Sequence, residues 1–570
     1  MCAAEYTYTA LPVPIRRPLA AAALALAAAP ALARAEASVP PRAQELTPQM
    51  LYEFLLGEIA AQRGDRELAA QTYLELARRT RDARVARRAL EFATHARMPA
   101  LALEAARIWQ EVEPGSVQAM QVLAQLLIET KRVAEAEPVL AKLMAAQPAA
   151  VANLFMQLPR VLAASREPQA NLRLVERLAA AYPNLAQARF ALAQLAVAAD
   201  DEPRALAELR AAAGLRPGWE LPVLAEAQLL ERRSPALAAA RLAEFLAAHP
   251  ASREVRMQYA RLLAADRRPA EARAEFERVL ESQPNDTDAI FAVGLLALQV
   301  KDHEVAEAKM RRLLDLGHRD PDRVRYTLGQ IAEERRDWAG ARAWYERVEG
   351  GELALPARVR AAHAIAREGR IEEARAYLKT VGATPEQRIQ LLLAEAQILR
   401  EARLHQAAFE LLAEALAREA DHPDLLYDQA LTAEKLDRLD VMEGNLKRLI
   451  QLRPDHAHAY NALGYTLADR NLRLAEAKKL IEKALELAPD DHYIIDSMGW
   501  VLYRMGDLKG ALRYLRQAWE GRPDAEIGAH LGEVLWMIGR PEEARRVWDE
   551  ALKLAPDNET LLKTLQRFAP

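Results

Sequence analysis

The side chains that could do chemistry are few and poorly spaced for it. His456 and His458 in PDHAHAY, with His492 following in PDDHYI, form the closest group among eleven histidines. They could ligate a metal only if they converged, and residues two apart on a helix do not face together. His303 and Glu304 open like a zinc-protease motif, but VAEA follows and no second histidine arrives. GxGxxG, P-loop and GxSxG patterns are absent from suitable elements. Cys2 is the sole cysteine, so the folded body has no thiolate metal site, disulfide or catalytic cysteine. Carboxylates are plentiful, yet they recur at corresponding places along the chain, as helix caps and first-turn charges do. The expectation is a protein that is not an enzyme and has no metal or cofactor.

The remaining candidates are aromatic. The stretch DSMGWVLYRMGDLKGALRYLRQAWEGRPD, residues 496–524, holds Trp500, Tyr503, Tyr514 and Trp519. Whether these rings bind something or fill a core depends on the elements that carry them. The chain has 570 residues, 51% hydrophobic, 6% aromatic and 28% charged, with 22 glycines. That balance suits long Ala/Leu/Glu/Arg helices, so an all-α fold is expected. A net charge of -4 gives no broad basic surface, and nucleic acid is not an expected partner. The Arg-rich run 78–88 is expected to be a solvated helix face.

Residues 1–35 have a secretory signal layout: a basic pair (Arg16, Arg17), an apolar run over 19–33, and small-x-small cleavage options ending at Ala33 or Ala35. The run is short and Ala-rich for a membrane span, which needs about 20 strongly apolar residues. Cleavage is the leading outcome and an uncleaved anchor the other. No cysteine follows the run, so a lipid anchor is not supported. A Pro-rich linker, 36–48, leads into the body, and the expected location is the periplasm.

The body keeps a 34-residue ruler. Prolines closing apolar helical runs recur at Pro114, Pro148, Pro183, Pro217, Pro250 and Pro284, and again at Pro454, Pro489, Pro523 and Pro556, in steps of 33 to 35. The interval between the two sets is 170 residues, five periods, so phase is kept across the gap. Within each unit, residues such as Met498, Gly499 and Leu502, then Ala511, Leu515 and Ala518, follow helical spacing on two helices joined at 505–507. Small Gly499 and Ala511 let the two backbones approach, and Leu502 and Leu515 fill the space beside them. The same skeleton recurs as Leu328, Gly329, Ala341 and Tyr345, and as Leu531, Gly532, Ala544 and Trp548.

Gly or Ala at position 8, Ala at 20 and 27, and Pro at 32 of a 34-residue period resemble the tetratricopeptide repeat. The resemblance implies an all-α solenoid, a right-handed superhelix of about 13–15 helix pairs. It implies an N-terminal array over 49–350, irregular helical repeats over 351–423, and a C-terminal array over 424–570 closed by a capping helix at 558–568. Pro159 falls at position 8 of its unit, and a kink or seam is expected there and before Pro423.

In this family the first helix of each pair lines the concave face, with ligand contacts at positions 2, 5, 9, 12 and 13. Carried over, these are Tyr493, Asp496, Trp500, Tyr503 and Arg504; before them His458, Asn461, Tyr465, Ala468 and Asp469; after them Glu526, Ala529, Glu533, Trp536 and Met537. Trp548, Trp519 and Tyr514 have a core explanation. Tyr465, Trp500, Tyr503 and Trp536, with Asn461 and Arg504, are the candidate partner-binding residues, aromatic rings being enriched in binding hot spots. Packing between adjacent first helices is the competing account of the same rings. Recognition of an acidic peptide terminus needs a basic clamp; only Asn461 and Arg504 fit it, and Asp496 opposes it.

Residues 461–508 further resemble the C-terminal part of proteobacterial envelope tetratricopeptide proteins. That group includes a lipoprotein adaptor that binds a carboxyl-terminal processing protease and presents cell-wall hydrolases to it. The resemblance implies a scaffold or adaptor whose partners are other proteins. The alternative is a periplasmic scaffold for exopolysaccharide synthesis and export.

Overall fold

The computed structural model describes residues 47–568 apart from Ala383. The signal layout and nearly all of the linker lie outside the described residues. Among the described residues there are 31 α-helices and no strand. Most of the helices pack in successive pairs, and Glu559–Phe568 closes the series.

Local chemistry sets the helix ends. Asp491 accepts from the Tyr493 and Ile494 amides to start His492–Arg504, Asp507 accepts from Gly510 to start Leu508–Gly521, and Asp524 accepts from Glu526 to start Ala525–Met537. Each satisfies an amide that the first helical turn leaves without a partner. Between most paired helices the chain reverses through a residue with positive φ; in 505–507 this is Gly506 at +88°.

Close approach inside a pair explains the small residues. A Cβ on Gly499 would lie 2.6 Å from Leu515 Cγ, and one on Gly532 would lie 2.0 Å from Trp548 Nε1. Any larger side chain must displace the residue that fills the centre of the pair. Ala511, Leu515 and Ala518 are fully buried beside Gly499.

The described residues form two compact units, divided between Asp302 and His303. The first has one continuous apolar core running from Ala70 to Leu262. In the second, residues 326–425 bury three small groups of side chains, whereas the C-terminal helices share one larger core from Leu426 to Leu561.

At Pro159 the helix Val151–Leu162 is not broken; it ends three residues later in the short 3-10 turn Ala163–Ser165, with Arg166 left-handed. The pairing rearranges there. Val151–Leu162 packs on Ala186–Ala198, and Pro168–Ala179 packs on Val133–Ala146. Proline removes an amide donor from a helix that must stop. Buried Asn171 donates to the Leu162 carbonyl (2.9 Å) and Ser165 Oγ donates to the same oxygen (2.9 Å) and contacts Asn171 Oδ1 (2.9 Å).

Candidate functional site: the aromatic network of the C-terminal array

Three consecutive first helices, Ala457–Asp469, His492–Arg504 and Ala525–Met537, bring their polar and aromatic side chains together. His530 is at the centre, 2% exposed. Its Nδ1 lies 2.9 and 3.1 Å from the two oxygens of Asp496, itself buried, and its Nε2 lies 3.4 Å from the Tyr465 hydroxyl. The Trp500 ring stacks on the imidazole, with centroids 4.1 Å apart and planes 24° apart. Trp500 Nε1 donates to Asp469 (3.2 Å), and the Tyr465 hydroxyl donates to Glu526 (3.3 Å). Tyr503 lies 5.2 Å from Trp500 and donates to Glu533 (2.9 Å), which also pairs with Arg567 of the closing helix. The Arg504 guanidinium lies 5.8 Å from the Trp500 ring centre.

The charge of this network follows from its geometry. Burial alone would push the His530 imidazolium to lose its proton. The Asp496 charge and hydrogen bond, with Glu526 and Asp469 behind them, outweigh burial and raise its pKa from 6.5 to about 9. At neutral pH both ring nitrogens therefore donate, one to Asp496 and one to the Tyr465 oxygen. Burial and the neighbouring carboxylates Glu526, Asp469 and Asp496 push the Tyr465 hydroxyl well above its ordinary value. Burial and Glu533 take the Tyr503 hydroxyl to about 12. A buried imidazolium held between an acid and a phenol cannot accept a substrate proton; it ties three repeats together.

The structure brings Tyr465, Trp500 and Tyr503 together, as the spacing predicts, but it differs from one open groove in two respects. Trp500 is buried, 5% exposed, because its ring covers the His530–Asp496 pair. Trp536 lies outside the network, stacked on Trp548 (5.8 Å) and near Phe568 (6.5 Å) under the closing helix. Tyr465, Tyr503, Arg504, Trp536 and Asn461 are half-buried, and the Asn461 side-chain oxygen has no hydrogen-bond partner.

His530 and Arg567 were not among the expected residues. His530 sits at position 6, beside the concave positions rather than on them, and its one signal in the sequence is a histidine within the apolar run 525–537. Asp496, which opposed a basic clamp, is explained by its pairing with His530. His456 caps its helix by accepting from the Ala459 amide (3.1 Å), and exposed His458 lies 3.8 Å from Asp491. Among the described residues, no three His, Cys, Asp or Glu side chains are grouped to hold a metal ion.

Tetratricopeptide repeat models match residues 229–293, 291–354, 457–491 and 502–567. A solved tetratricopeptide protein from Thermus thermophilus is 26% identical, covering 32% of this chain and 96% of that one with a TM-score of 0.29. Another, from Parabacteroides merdae, is 14% identical, covering 44% and 99% with a TM-score of 0.35. A TPR repeat-containing protein of Pseudomonas aeruginosa is 34% identical over 499 residues, covering 87% of this chain and 84% of the relative. With the helix pairs, the small position-8 residues and this relative together, the chain belongs to the tetratricopeptide repeat family of protein-interaction scaffolds.

Proposed function

We propose that this scaffold works in the bacterial cell envelope as an adaptor, holding a carboxyl-terminal processing protease and presenting cell-wall hydrolases to it. The signal layout of residues 1–35 supports export, and the likeness of residues 461–508 to envelope tetratricopeptide proteins supports the partner class. The observation that carries the reading is the ionic and aromatic network fixing the inner helices of the C-terminal array. The repeat skeleton does not require it, and it holds Tyr465, Tyr503 and Arg504 in fixed places at a half-buried surface. A surface whose rings are already immobilised loses little side-chain entropy when a partner docks.

Crosslinking in intact cells, followed by identification of captured proteins, tests the proposal. A serine protease together with cell-wall hydrolases is the expected catch. Polysaccharide synthase or export components in their place would sink the adaptor and favour an exopolysaccharide scaffold.

A further inference from the structure

Positions that carry rings and charges in the C-terminal array carry amides nearer the N-terminus. Positions 2 and 9 of the repeat lie seven residues apart and so share one side of a helix. In Ala457–Asp469, His492–Arg504 and Ala525–Met537 they are His458 and Tyr465, Tyr493 and Trp500, and Glu526 and Glu533. In four consecutive first helices of the other unit, Val117–Glu129, Val151–Leu162, Ala186–Ala198 and Glu220–Glu231, they are Gln118 and Gln125, Asn153 and Arg160, Gln187 and Gln194, and Leu221 and Gln228. Six of these eight are amides, and Arg160 is the one charge among them.

All eight meet solvent: six are exposed, and Gln125 and Gln187 are half-buried. The next residue along is buried in every case but Val161, so the stripe is narrow and backed by packed helix. Gln125 donates to Glu129 (2.9 Å). Among the described residues the other five amides have no side-chain hydrogen bond. Val117–Glu129, Val151–Leu162 and Ala186–Ala198 touch in succession, which sets their stripes in one row. Solubility does not call for such a row, since a chain that is 28% charged meets solvent elsewhere with Arg and Glu.

We propose that this stripe binds an extended, uncharged segment of another polypeptide through its backbone, a site separate from the C-terminal network. A side-chain amide has two donors and an acceptor, so one Gln can pair with both the N–H and the C=O of a peptide residue. Packed helices lie about 8–10 Å apart and a strand advances about 3.3 Å per residue, so successive amides meet roughly every third residue. Bonds to the main chain tolerate many sequences. The single charge along the stripe leaves charged side chains of a segment without partners, which selects uncharged ones. Sugar chains offer similar hydrogen bonds but also seek aromatic faces, and none of the eight residues is aromatic.

Fluorescence anisotropy of the purified chain with a pool of labelled, uncharged peptides of about ten residues tests this, that length spanning roughly 30 Å when extended. The expected result is saturable binding that Asn153→Ala with Gln187→Ala and Gln194→Ala weakens at least tenfold while helical circular dichroism is unchanged. N-methylation of alternate peptide amides, which removes backbone donors and keeps the side chains, should weaken it as much. Peptides that do not bind, or that bind equally to the triple variant or after N-methylation, overturn the proposal. Binding of soluble cell-wall glycan and not of peptide overturns it as well.

Discussion

Of the places where polar side chains are buried among apolar helices, two do so by contrasting means. Where the helix Val151–Leu162 stops, Ser165 and Asn171 close over the Leu162 carbonyl; every partner is neutral and lies within nine residues of the others. In the C-terminal array, Asp496 and His530 meet across 34 residues, one full repeat, and Asp469, Glu526 and Tyr465 extend the set over three repeats. The first site repairs a local defect, since an amide and a hydroxyl satisfy a carbonyl that the broken pairing would leave dry. The second repairs nothing, because the repeat skeleton of Gly499, Ala511 and Leu515 packs without it. It adds charge where an apolar residue would fit. Its products are register between repeats, as buried polar pairs give in other helical assemblies, and a fixed inner surface.

The contrast can be broken by substitution. His530→Ala should cost about 3–5 kcal/mol, because it strands the buried Asp496 carboxylate; adding Asp496→Ala should restore part of that, a coupling that chemical denaturation of the double-mutant cycle would measure. An additive double mutant would mean that the pair does not hold the repeats together.

The next largest effect is in pH. His530 has a folded pKa of about 9 against an ordinary 6.5. A raised pKa contributes stability that is fully present below pH 6.5 and lost as pH climbs through 9. Over that window the C-terminal array should lose up to about 3 kcal/mol, read by hydrogen exchange in Ala525–Met537, and His530→Gln should flatten the profile. The Ser165–Asn171 site has no ionisable member, so exchange in Val151–Leu162 should show no matching loss.

Asn171→Ala should cost about 0.5–1.5 kcal/mol at any pH, the loss of one of the two hydrogen bonds to the buried Leu162 carbonyl, and thermal unfolding would register it. Smallest is Arg504→Ala, whose cation over Trp500 contributes about 0.5–1 kcal/mol to folding. If Arg504 serves a partner, that variant should melt nearly as wild type yet capture far less in cells. By contrast, Trp500→Ala would damage the fold, since the ring is core to the His530–Asp496 pair.

The repeat was legible in the sequence because one steric demand, a small residue facing a large one inside each pair, prints the same residues every 34 positions. Gly499 against Leu515 and Gly532 against Trp548 follow that rule directly. The gathering of Tyr465, Trp500 and Tyr503 was legible for the same reason, since their offsets are periodic. Burial of Trp500 was legible only as the competing account, packing between adjacent first helices; what decides for it is His530, a single side chain one position off the expected face. Trp536 was drawn away by Phe568 on the closing helix, which lies beyond the periodic region. The seam after Pro159 was legible as a disturbance, but the exchange of packing partners rests on Asn171 and Ser165, whose roles no period encodes.

The central claim, that the inner face of the C-terminal array captures partners, is tested most directly by placing a photo-crosslinking side chain at position 504 and, separately, at position 516 on the second helix Leu508–Gly521, and irradiating living cells. Capture from 504 and not from 516 is the predicted result. Equal capture from both, or capture from 516 alone, would contradict it.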